Sequence, residues 1–386
     1  MESEDARRIL LSTEQEHNFS LALTRILSYQ NRNGSWGLRS EDRVTLTSQA
    51  IQLMYALNYN HTNPAFKKAT RWLEDHVQKG DPHWLTRLEV GLKIGEFDKL
   101  ADDKYLDGFF DELDHDLNYP NEKSRLDFFW HVLPTLIALY PYEEQYIRRS
   151  GRSVPHDKVI ERIKKYWECF GENYIAVKNQ ANHTGLVALY LSTICNKEEY
   201  KKYKDTYIAM TKWLISSRVE NEDVVHWQHG RGITAYVLID LIKCLPNDSK
   251  VQQCIPKIIE YIAPETNGWV KKDEIKTFNT KLHGEVLYVT IVSLRAMVEV
   301  LATNYPEQLR RFREEATVRF PIKRFLFKIF HFYSYYRKRI PIITSIAICI
   351  LAGILIACGK TVSGFLFLPI GISCVLSIVF DWLAKD

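Results

Sequence analysis

The sequence predicts an all-α protein, in which about six helical hairpins are followed by a two-helix hairpin that crosses a membrane. Three observations support this prediction. From Glu14 to Asn304 apolar residues recur every three or four positions, as on one face of a helix. Breaks in this pattern return about every 50 residues. Two long uncharged runs lie near the C-terminus.

The chain of 386 residues divides where its composition changes. Hydrophobic residues make up 46% and charged residues 25%, which excludes a disordered, collagenous or disulfide-scaffold protein. The seven cysteines show no paired spacing, which indicates reduced thiols in a cytosolic body. The predicted segments are an N-terminal tail (1–13), a helical body (14–304), a basic aromatic segment (305–339), two transmembrane helices (340–358 and 362–380) and a C-terminal tail (381–386).

The helical body is predicted to repeat one unit, a pair of helices. Its breaks are rich in Gly, Pro, Asn and Asp, and each separates the two helices of a pair. They lie at 31–37, 80–82, 118–121, 171–173, 220–223 and 264–268. Units of this period bury their faces against neighbours, either in an open solenoid or in a closed ring of two concentric helix layers. Six pairs are enough to close such a ring.

The first break holds the most specific string in the chain, Gln-Asn-Arg-Asn-Gly-Ser-Trp-Gly at 30–37, and weaker echoes of it end at Trp227 and Trp269. The string resembles the Gln-x3-Gly-x-Trp repeat of squalene and terpenoid cyclases and of protein prenyltransferase β subunits. The resemblance extends over about residues 14–304. It implies an α/α toroid of five to seven hairpins, in which the string is mainly structural.

The resemblance does not extend to the catalytic motifs of those enzymes. Class II cyclases use an Asp-x-Asp-Asp acid, and the nearest acidic string here, at 111–116, has a different spacing. Prenyltransferases hold zinc with Asp, Cys and His, and no cysteine stands at the start of a predicted second helix. Whether the protein is an enzyme is therefore left open, and we predict neither a metal nor a cofactor.

Histidines recur near the start of the second helix in hairpins two to six. They are His83, His131, His183, His229 and His283, spaced by 48, 52, 46 and 54 residues. In a closed ring these helix starts converge, and several helix N-termini pointing at one cavity favour an anion such as phosphate. The alternatives are a plain structural role at helix boundaries and a metal site of His226 and His229 with His183 or His283.

We therefore predict a cavity that binds a small anionic or isoprenoid ligand. Histidine and arginine would contact the anion, tryptophan would form a wall, and acidic residues would orient their neighbours. The predicted ligand-binding residues are His131, His183, Trp227, His229, Arg231, His283 and Glu285, with Arg87 and Asp127 behind them.

The charge of the chain is concentrated before the first predicted span. Between Arg310 and Arg339 ten Lys or Arg stand against two Glu, a net charge of +8, and eight aromatic residues from Phe320 to Tyr336 are interleaved with them. Such a segment is typical of one that lies among anionic lipid headgroups. Because the basicity is local, nucleic acid is not predicted as a partner. The same cations place the helical body and the C-terminus in the cytoplasm.

The two uncharged runs are each about 19 residues long, enough to cross a hydrocarbon core. Only residues 359–361 separate them, so the spans would form a tight antiparallel hairpin. A buried core hairpin is the alternative. Glycines at 353, 364 and 371 offer close-packing surfaces for a homo-oligomer.

Two classes of function fit this plan. In the first, the helical body is a sensor of a phosphorylated small molecule, and the oligomerised hairpin acts on the membrane as bacterial defence effectors do. In the second, the chain is a membrane-tethered enzyme that acts on an isoprenoid or other lipid. A scaffold that uses the outer face of the ring is a third option.

Overall fold

The computed structural model describes residues 10–37, 40–81, 83–97, 99–118, 128–165, 167–169, 175–177, 180–228, 230–270 and 282–313. Of residues 40, 41, 167–169, 175–177, 282 and 283 it describes the backbone alone. Both predicted transmembrane helices, the C-terminal tail and the basic segment beyond residue 313 lie outside these ranges, as do residues 1–9. The described residues belong to one compact unit, Met1–Phe320.

The described part of the chain is mostly helical, which confirms the all-α prediction. The helices are α1 (Thr13–Ser28), α2 (Ser40–Ala56), α3 (Pro64–His76), α4 (Trp84–Ile94), α5 (Asp103–Asn118), α6 (Leu133–Leu139), α7 (Glu143–Ser150), α8 (His156–Lys164), α9 (Ala181–Ile194), α10 (Lys204–Ser216), α11 (Arg231–Cys244), α12 (Ser249–Ile262) and α13 (Leu282–Asn304). A further helical segment covers residues 306–313. Short 3₁₀ turns lie at Tyr140–Tyr142 and Glu198–Tyr203.

Two short antiparallel β-hairpins stand at predicted breaks between helices. Strand β1 (Trp167–Cys169) pairs with β2 (Ile175–Val177), with Trp167 opposite Val177. Strand β3 (Val219–Glu220) pairs with β4 (Val225–His226), with Val219 opposite His226. These strands extend the turns of the hairpins and leave the helical architecture unchanged.

The helices pack in a cyclic order. The second helices of the six hairpins are α2, α4, α6, α9, α11 and α13; each contacts the next, and α13 contacts α2. First helices pack on the second helix of the preceding hairpin, as α3 does on α2, α10 on α9 and α12 on α11. Helix α1 packs on α13 in the same way, so the pattern continues across the two ends of the helical body.

The sequence of each layer fits this packing. In α12 the buried side chains recur on one face, from Val251 through Ile255 and Ile258 to Ile262, so a polar face remains for solvent. In α11, by contrast, nearly every residue from Thr234 to Ile242 is buried. A helix that is apolar all round needs neighbours on more than one side. The second helices have such neighbours.

Each second helix also buries one threonine. In three hairpins the threonine hydroxyl accepts a hydrogen bond from a backbone N–H in the preceding turn. The N–O distances are 2.9 Å for Trp36 and Thr47, 3.0 Å for Trp227 and Thr234, and 3.2 Å for Val270 and Thr290. The six residues are Thr47, Thr86, Thr135, Thr184, Thr234 and Thr290. This recurrence supports a repeated structural unit.

A π turn, Phe128–Val132, precedes α6. Its cause is local, because Pro134 has no N–H to donate to the carbonyl of Trp130 one α-helical turn earlier. The backbone therefore widens at this point, as π turns in helices do, often at functional sites.

One helix of the described residues, Gly284–Asn304 within α13, is long and apolar enough to cross a membrane, with a mean hydropathy of 1.7. However, 67% of its most apolar 18-residue window is buried inside the structure. Its contacts with α2 and α11 give it the environment of a core helix, and core helices have the same length and composition.

Candidate functional site

A cavity of about 140 Å³ opens between the second helices. Residues from all six of these helices, or from the turn that leads into them, form its wall. They are Gln49, Glu89, Lys93, Phe129, Trp130, Pro134, Ile137, Asn182, His183, Leu186, Leu189, Tyr236, Ile239, Asp240, Lys243 and Arg295. The wall thus combines apolar side chains with five charged ones.

Where contacts fix their relative direction, neighbouring second helices run parallel, which gives the cavity two ends. Between α9 and α11, Gly185 lies against Asp240 and, further along both helices, Ser192 lies against Cys244. Contacts between α2 and α13 follow the same order. Phe129, Trp130, Asn182 and His183 lie toward the N-terminal end, and Lys93, Ile137, Leu189 and Lys243 lie toward the C-terminal end.

Arg295 of α13 brings a buried guanidinium to the wall. The residue is 7% exposed, and its Nη1 donates a hydrogen bond to Gln49 Oε1 on α2. No carboxylate among the described residues forms an ion pair with it. Burying a charge is costly unless a countercharge accompanies it, and here the partner is a neutral amide. The wall therefore contains a guanidinium that forms no direct ion pair with a carboxylate of the described residues.

Two lysines add positive charge close to Arg295. Lys93 Nζ lies 2.5 Å from Glu89 Oε1, and Lys243 Nζ lies 3.1 Å from Glu299 Oε1. Lys93 faces the cavity, and desolvation lowers its pKa; the nearby Glu89 opposes this change, while repulsion from Arg295 and Lys243 adds to it. Arg295 and Lys243 therefore both act on Lys93.

Asp240 of α11 is a buried carboxyl in the same wall. It is 6% exposed and makes no ion pair or hydrogen bond with a described residue. Burial raises its pKa to about 7, although Lys243, Lys93 and Arg295 all act to lower it. Gly185 makes room for this carboxyl, since a β-carbon there would come within 2.7 Å of Asp240 Oδ2. Asp240 therefore changes charge near neutral pH.

The N-terminal end of the cavity is aromatic. The π turn places Phe129 against His183 of α9, with ring centroids 4.8 Å apart and nearly parallel. The Trp130 ring meets the same imidazole edge-on at 5.4 Å and is 44% exposed, which is unusual for an indole. An exposed aromatic ring beside a cavity provides a surface on which an apolar or planar part of a ligand can pack.

Three of the five recurring histidines have described side chains, and two of these contact each other. The rings of His83 and His131 lie 6.1 Å apart, and Thr86 Oγ1 lies 3.2 Å from His131 Nδ1. Of the three, His183 lines the cavity itself, and His131 follows the wall residue Trp130 in the chain. His229 and the side chain of His283 lie outside the described residues, as does Asp127.

Other predicted ligand-binding residues face the first helices instead. Arg87 donates hydrogen bonds to the backbone carbonyls of Glu74, Val77 and Lys99 at 2.6–2.8 Å, and its guanidinium lies 4.1 Å from the ring centroid of Tyr105. These contacts join α4 to α3 and α5. The structure therefore gives Arg87 a packing role and does not bring it to the cavity.

Trp227 and Arg231 likewise do not line the cavity. Trp227 is 1% exposed, and its Nε1 donates to the carbonyl of Leu214 on α10 at 2.8 Å. Arg231 Nε donates to the carbonyl of Tyr261 on α12 at 3.0 Å, and its guanidinium lies over that ring. Glu285, near the start of α13, is half-buried and outside the cavity wall.

The described residues contain no group of three or more His, Cys, Asp or Glu placed to hold a metal ion. His226, one member of the alternative metal site, stacks on Tyr261 at 4.6 Å. His183 is stacked on Phe129 in the cavity wall. These two imidazoles thus have aromatic partners in different parts of the fold.

Sequence reasoning missed the charged residues of the cavity wall. Asp240 and Arg295 each stand within an apolar run, Val-Leu-Ile-Asp-Leu-Ile and Val-Ser-Leu-Arg-Ala-Met. A single charge inside an otherwise apolar helix is the signal that could have found them. Such a charge is buried on folding and requires a reason.

The string at 30–37 has a structural role in the first turn. Gln30 Nε2 donates to the carbonyls of Gly34 and Ala65, which ties the turn to the start of α3. Trp36 Nε1 donates to the carbonyl of Ile26 at 2.7 Å, an arrangement that Trp227 repeats in the fifth hairpin. No protein-family model matches the chain, and no curated protein matches it by sequence.

Proposed function

We propose that this protein is a membrane-tethered receptor whose six hairpins close into an α/α toroid and whose central cavity binds a small phosphorylated ligand. Closure is supported by the cyclic contacts, in which α13 returns to α2 and α1 packs on α13. The repeated threonine and tryptophan hydrogen bonds support a relation to the toroids of terpenoid cyclases and prenyltransferases. Membrane attachment rests on the two uncharged runs and the basic segment before them.

The observation that carries the ligand class is the guanidinium of Arg295. It is buried, its hydrogen-bond partner is a neutral amide, and Lys93 in the same wall repels it. An oxyanion in the cavity would supply the missing negative charge. Arginine suits this role because its planar donors can bind two oxygens of one phosphate. Lys93 and Lys243 would contribute further positive charge.

The size of the cavity favours a small ligand. Both volumes compared here count the space open to the centre of a water-sized sphere. One water needs about 10–15 Å³ of this space, so the 140 Å³ of the cavity hold roughly ten non-hydrogen atoms. That is the size of a pyrophosphate or of a short phosphorylated molecule. A long polyprenyl chain would need a deep apolar tunnel, whereas the C-terminal end of this cavity is charged. The aromatic N-terminal end can accept a short apolar or planar group.

The binding proposal is tested on the full chain in detergent micelles or nanodiscs. Calorimetric titration with pyrophosphate, at an ionic strength held constant with sodium chloride, is expected to give saturable binding. Mass spectrometry of small molecules retained on the purified protein would then identify the natural ligand. A titration with pyrophosphate that matches the dilution blank would contradict the proposal.

The effector part of the proposal is tested in cells. The full chain is expressed and the membrane potential is followed, with Arg295→Met as the cavity variant. If ligand binding drives the membrane hairpin, the parent chain depolarises the membrane and the variant does not. Equal depolarisation by both chains would separate any membrane activity from the cavity.

Asp240 favours a second candidate, an enzyme. A buried carboxyl that holds a proton near neutral pH can serve as a general acid, which is the role of the acidic motif in class II cyclases. Turnover of labelled prenyl diphosphates by the purified chain, lost on Asp240→Asn, would establish this function. A chain that binds pyrophosphate and turns over none of these substrates would support the receptor.

A further inference from the structure

Asp240 stands in an unusual position for an acidic residue in a cationic cavity. Its carboxyl lines the wall beside three positive side chains, yet it forms an ion pair with none of them. Charged and titratable groups surround it on several helices. On the cavity side they are Lys243, Tyr236 and Cys244 of α11, Arg295, Tyr288 and Glu299 of α13, Lys93 and Glu89 of α4, and His183 of α9. On the other side of α11 they are Tyr207 of α10 and Tyr261 of α12.

The carboxyl and an anionic ligand would compete for the same cations. In the empty cavity the ionised Asp240 partly balances Lys93, Lys243 and Arg295, which all act electrostatically on it. An anion bound among those cations would be repelled by the carboxylate. A protonated carboxyl would not repel the anion and could donate a hydrogen bond to one of its oxygens.

We infer that the cavity binds an anion together with one proton, which Asp240 takes up from solvent. This inference rests on the proposed anion-binding function and adds its regulation by pH. The step is a proton transfer alone: the Asp240 carboxylate becomes a carboxyl, and the proton comes from water or buffer. Binding is therefore tighter at lower pH.

The size of the effect follows from linkage. Because burial already raises the pKa of Asp240 to about 7, protonation costs little at neutral pH. If only the protonated form binds, the dissociation constant rises about tenfold between pH 6 and pH 8. Half a proton per ligand is taken up at pH 7 and close to one at pH 8.

Sulfate is the suitable probe, because its own charge does not change between pH 6 and pH 8. The full chain in nanodiscs is titrated with sodium sulfate at pH 6, 7 and 8 at constant ionic strength. Repeating the titrations in two buffers with different heats of ionisation counts the protons taken up. The parent chain is expected to show the tenfold change and the proton uptake.

Two variants separate Asp240 from the histidine of the same wall. Asp240→Asn, which keeps the size of the side chain, is expected to bind sulfate equally at pH 6 and pH 8 with no proton uptake. His183→Asn removes the imidazole of the same wall and is expected to keep the tenfold change. Circular dichroism and the thermal midpoint of each variant check that it is folded.

Each outcome has a distinct meaning. Parent sulfate binding that is independent of pH would overturn the inference and leave the anion site standing. If Asp240→Asn kept the pH dependence of sulfate binding, or if His183→Asn abolished it, the proton would belong to another group. Either result would also overturn the inference. A parent chain that binds neither sulfate nor pyrophosphate at any pH would overturn the anion site itself, and the proton coupling with it.

Discussion

Replacing Arg295 by methionine should weaken anion binding without weakening the fold. Methionine keeps the length and the apolar stem of the side chain and removes its charge. Burying a charge without a countercharge costs several kcal/mol, and the substitution removes that cost. The loss of the hydrogen bond that the guanidinium donates to Gln49 would offset this gain by about 1.5–3 kcal/mol. We therefore expect the free energy of unfolding of the empty protein to stay level or to rise.

The effect on binding has the opposite sign. A hydrogen bond to a charged group contributes about 1.5–3 kcal/mol. Removing one such bond from a bound phosphate should raise its dissociation constant by roughly 10- to 150-fold. Thermal unfolding with and without pyrophosphate reports both quantities, because a ligand of the folded state raises the midpoint according to its affinity. The parent midpoint should rise with pyrophosphate, and the Arg295→Met midpoint should stay nearly constant.

Arg87→Met provides the matched control. Arg87 is also buried, with 4% exposure, but it donates hydrogen bonds to three backbone carbonyls and faces α3 and α5. Its removal leaves carbonyls without donors, so we expect a loss of about 3 kcal/mol or more while the pyrophosphate response remains. If Arg295→Met lowered stability as Arg87→Met does and kept the parent response to pyrophosphate, Arg295 would be a structural residue.

Three further outcomes test the fold and the electrostatics. Trp227→Phe should lower the free energy of unfolding by about 1–3 kcal/mol in urea titrations, because a buried hydrogen bond and ring volume are lost. Gly34→Ala should cost more than Gly80→Ala: both have positive φ, worth about 1–2 kcal/mol, but only at Gly34 would the β-carbon meet a backbone oxygen, that of Lys68, at 2.3 Å. Burial raises the pKa of Asp240 from 3.8 to about 7. Between these two values the folded state holds a proton on Asp240 that the unfolded state has lost, so the free energy of unfolding falls as the pH rises from about 4 to 7. Asp240→Asn should therefore match the parent near pH 4 and exceed it by up to about 4 kcal/mol at pH 8.

The layout of the helices could be predicted because it depends on patterns among residues that are close together in the chain. Apolar spacing fixed the existence of the helices, and the breaks at 31–37, 220–223 and 264–268 do lie between helices. Gln30 and Trp36 identified the first turn because their side chains bond to backbone groups nearby in the chain. The starts of second helices could also be located, since His83, His131 and His183 all lie there.

The composition of the cavity could not be predicted in the same way. Which face of a second helix turns toward the cavity depends on contacts between helices far apart in sequence. Arg87 and Lys93 are on the same helix, yet one is held by α3 and α5 and the other faces the cavity. Trp227 resembles a ligand wall in sequence, but its indole is used to repeat the packing of Trp36.

The source of positive charge in the cavity also differs from the one that helix dipoles would supply. Lys93 and Lys243 lie in the last turns of α4 and α11, where a cation is favourable with or without a ligand, and each has a carboxylate partner. Their presence alone would need no further explanation. Arg295 lies in the middle of α13, away from either helix end and without a carboxylate partner among the described residues. A methionine or leucine would serve packing better at this position, so the ligand proposal depends on Arg295 far more than on the two lysines.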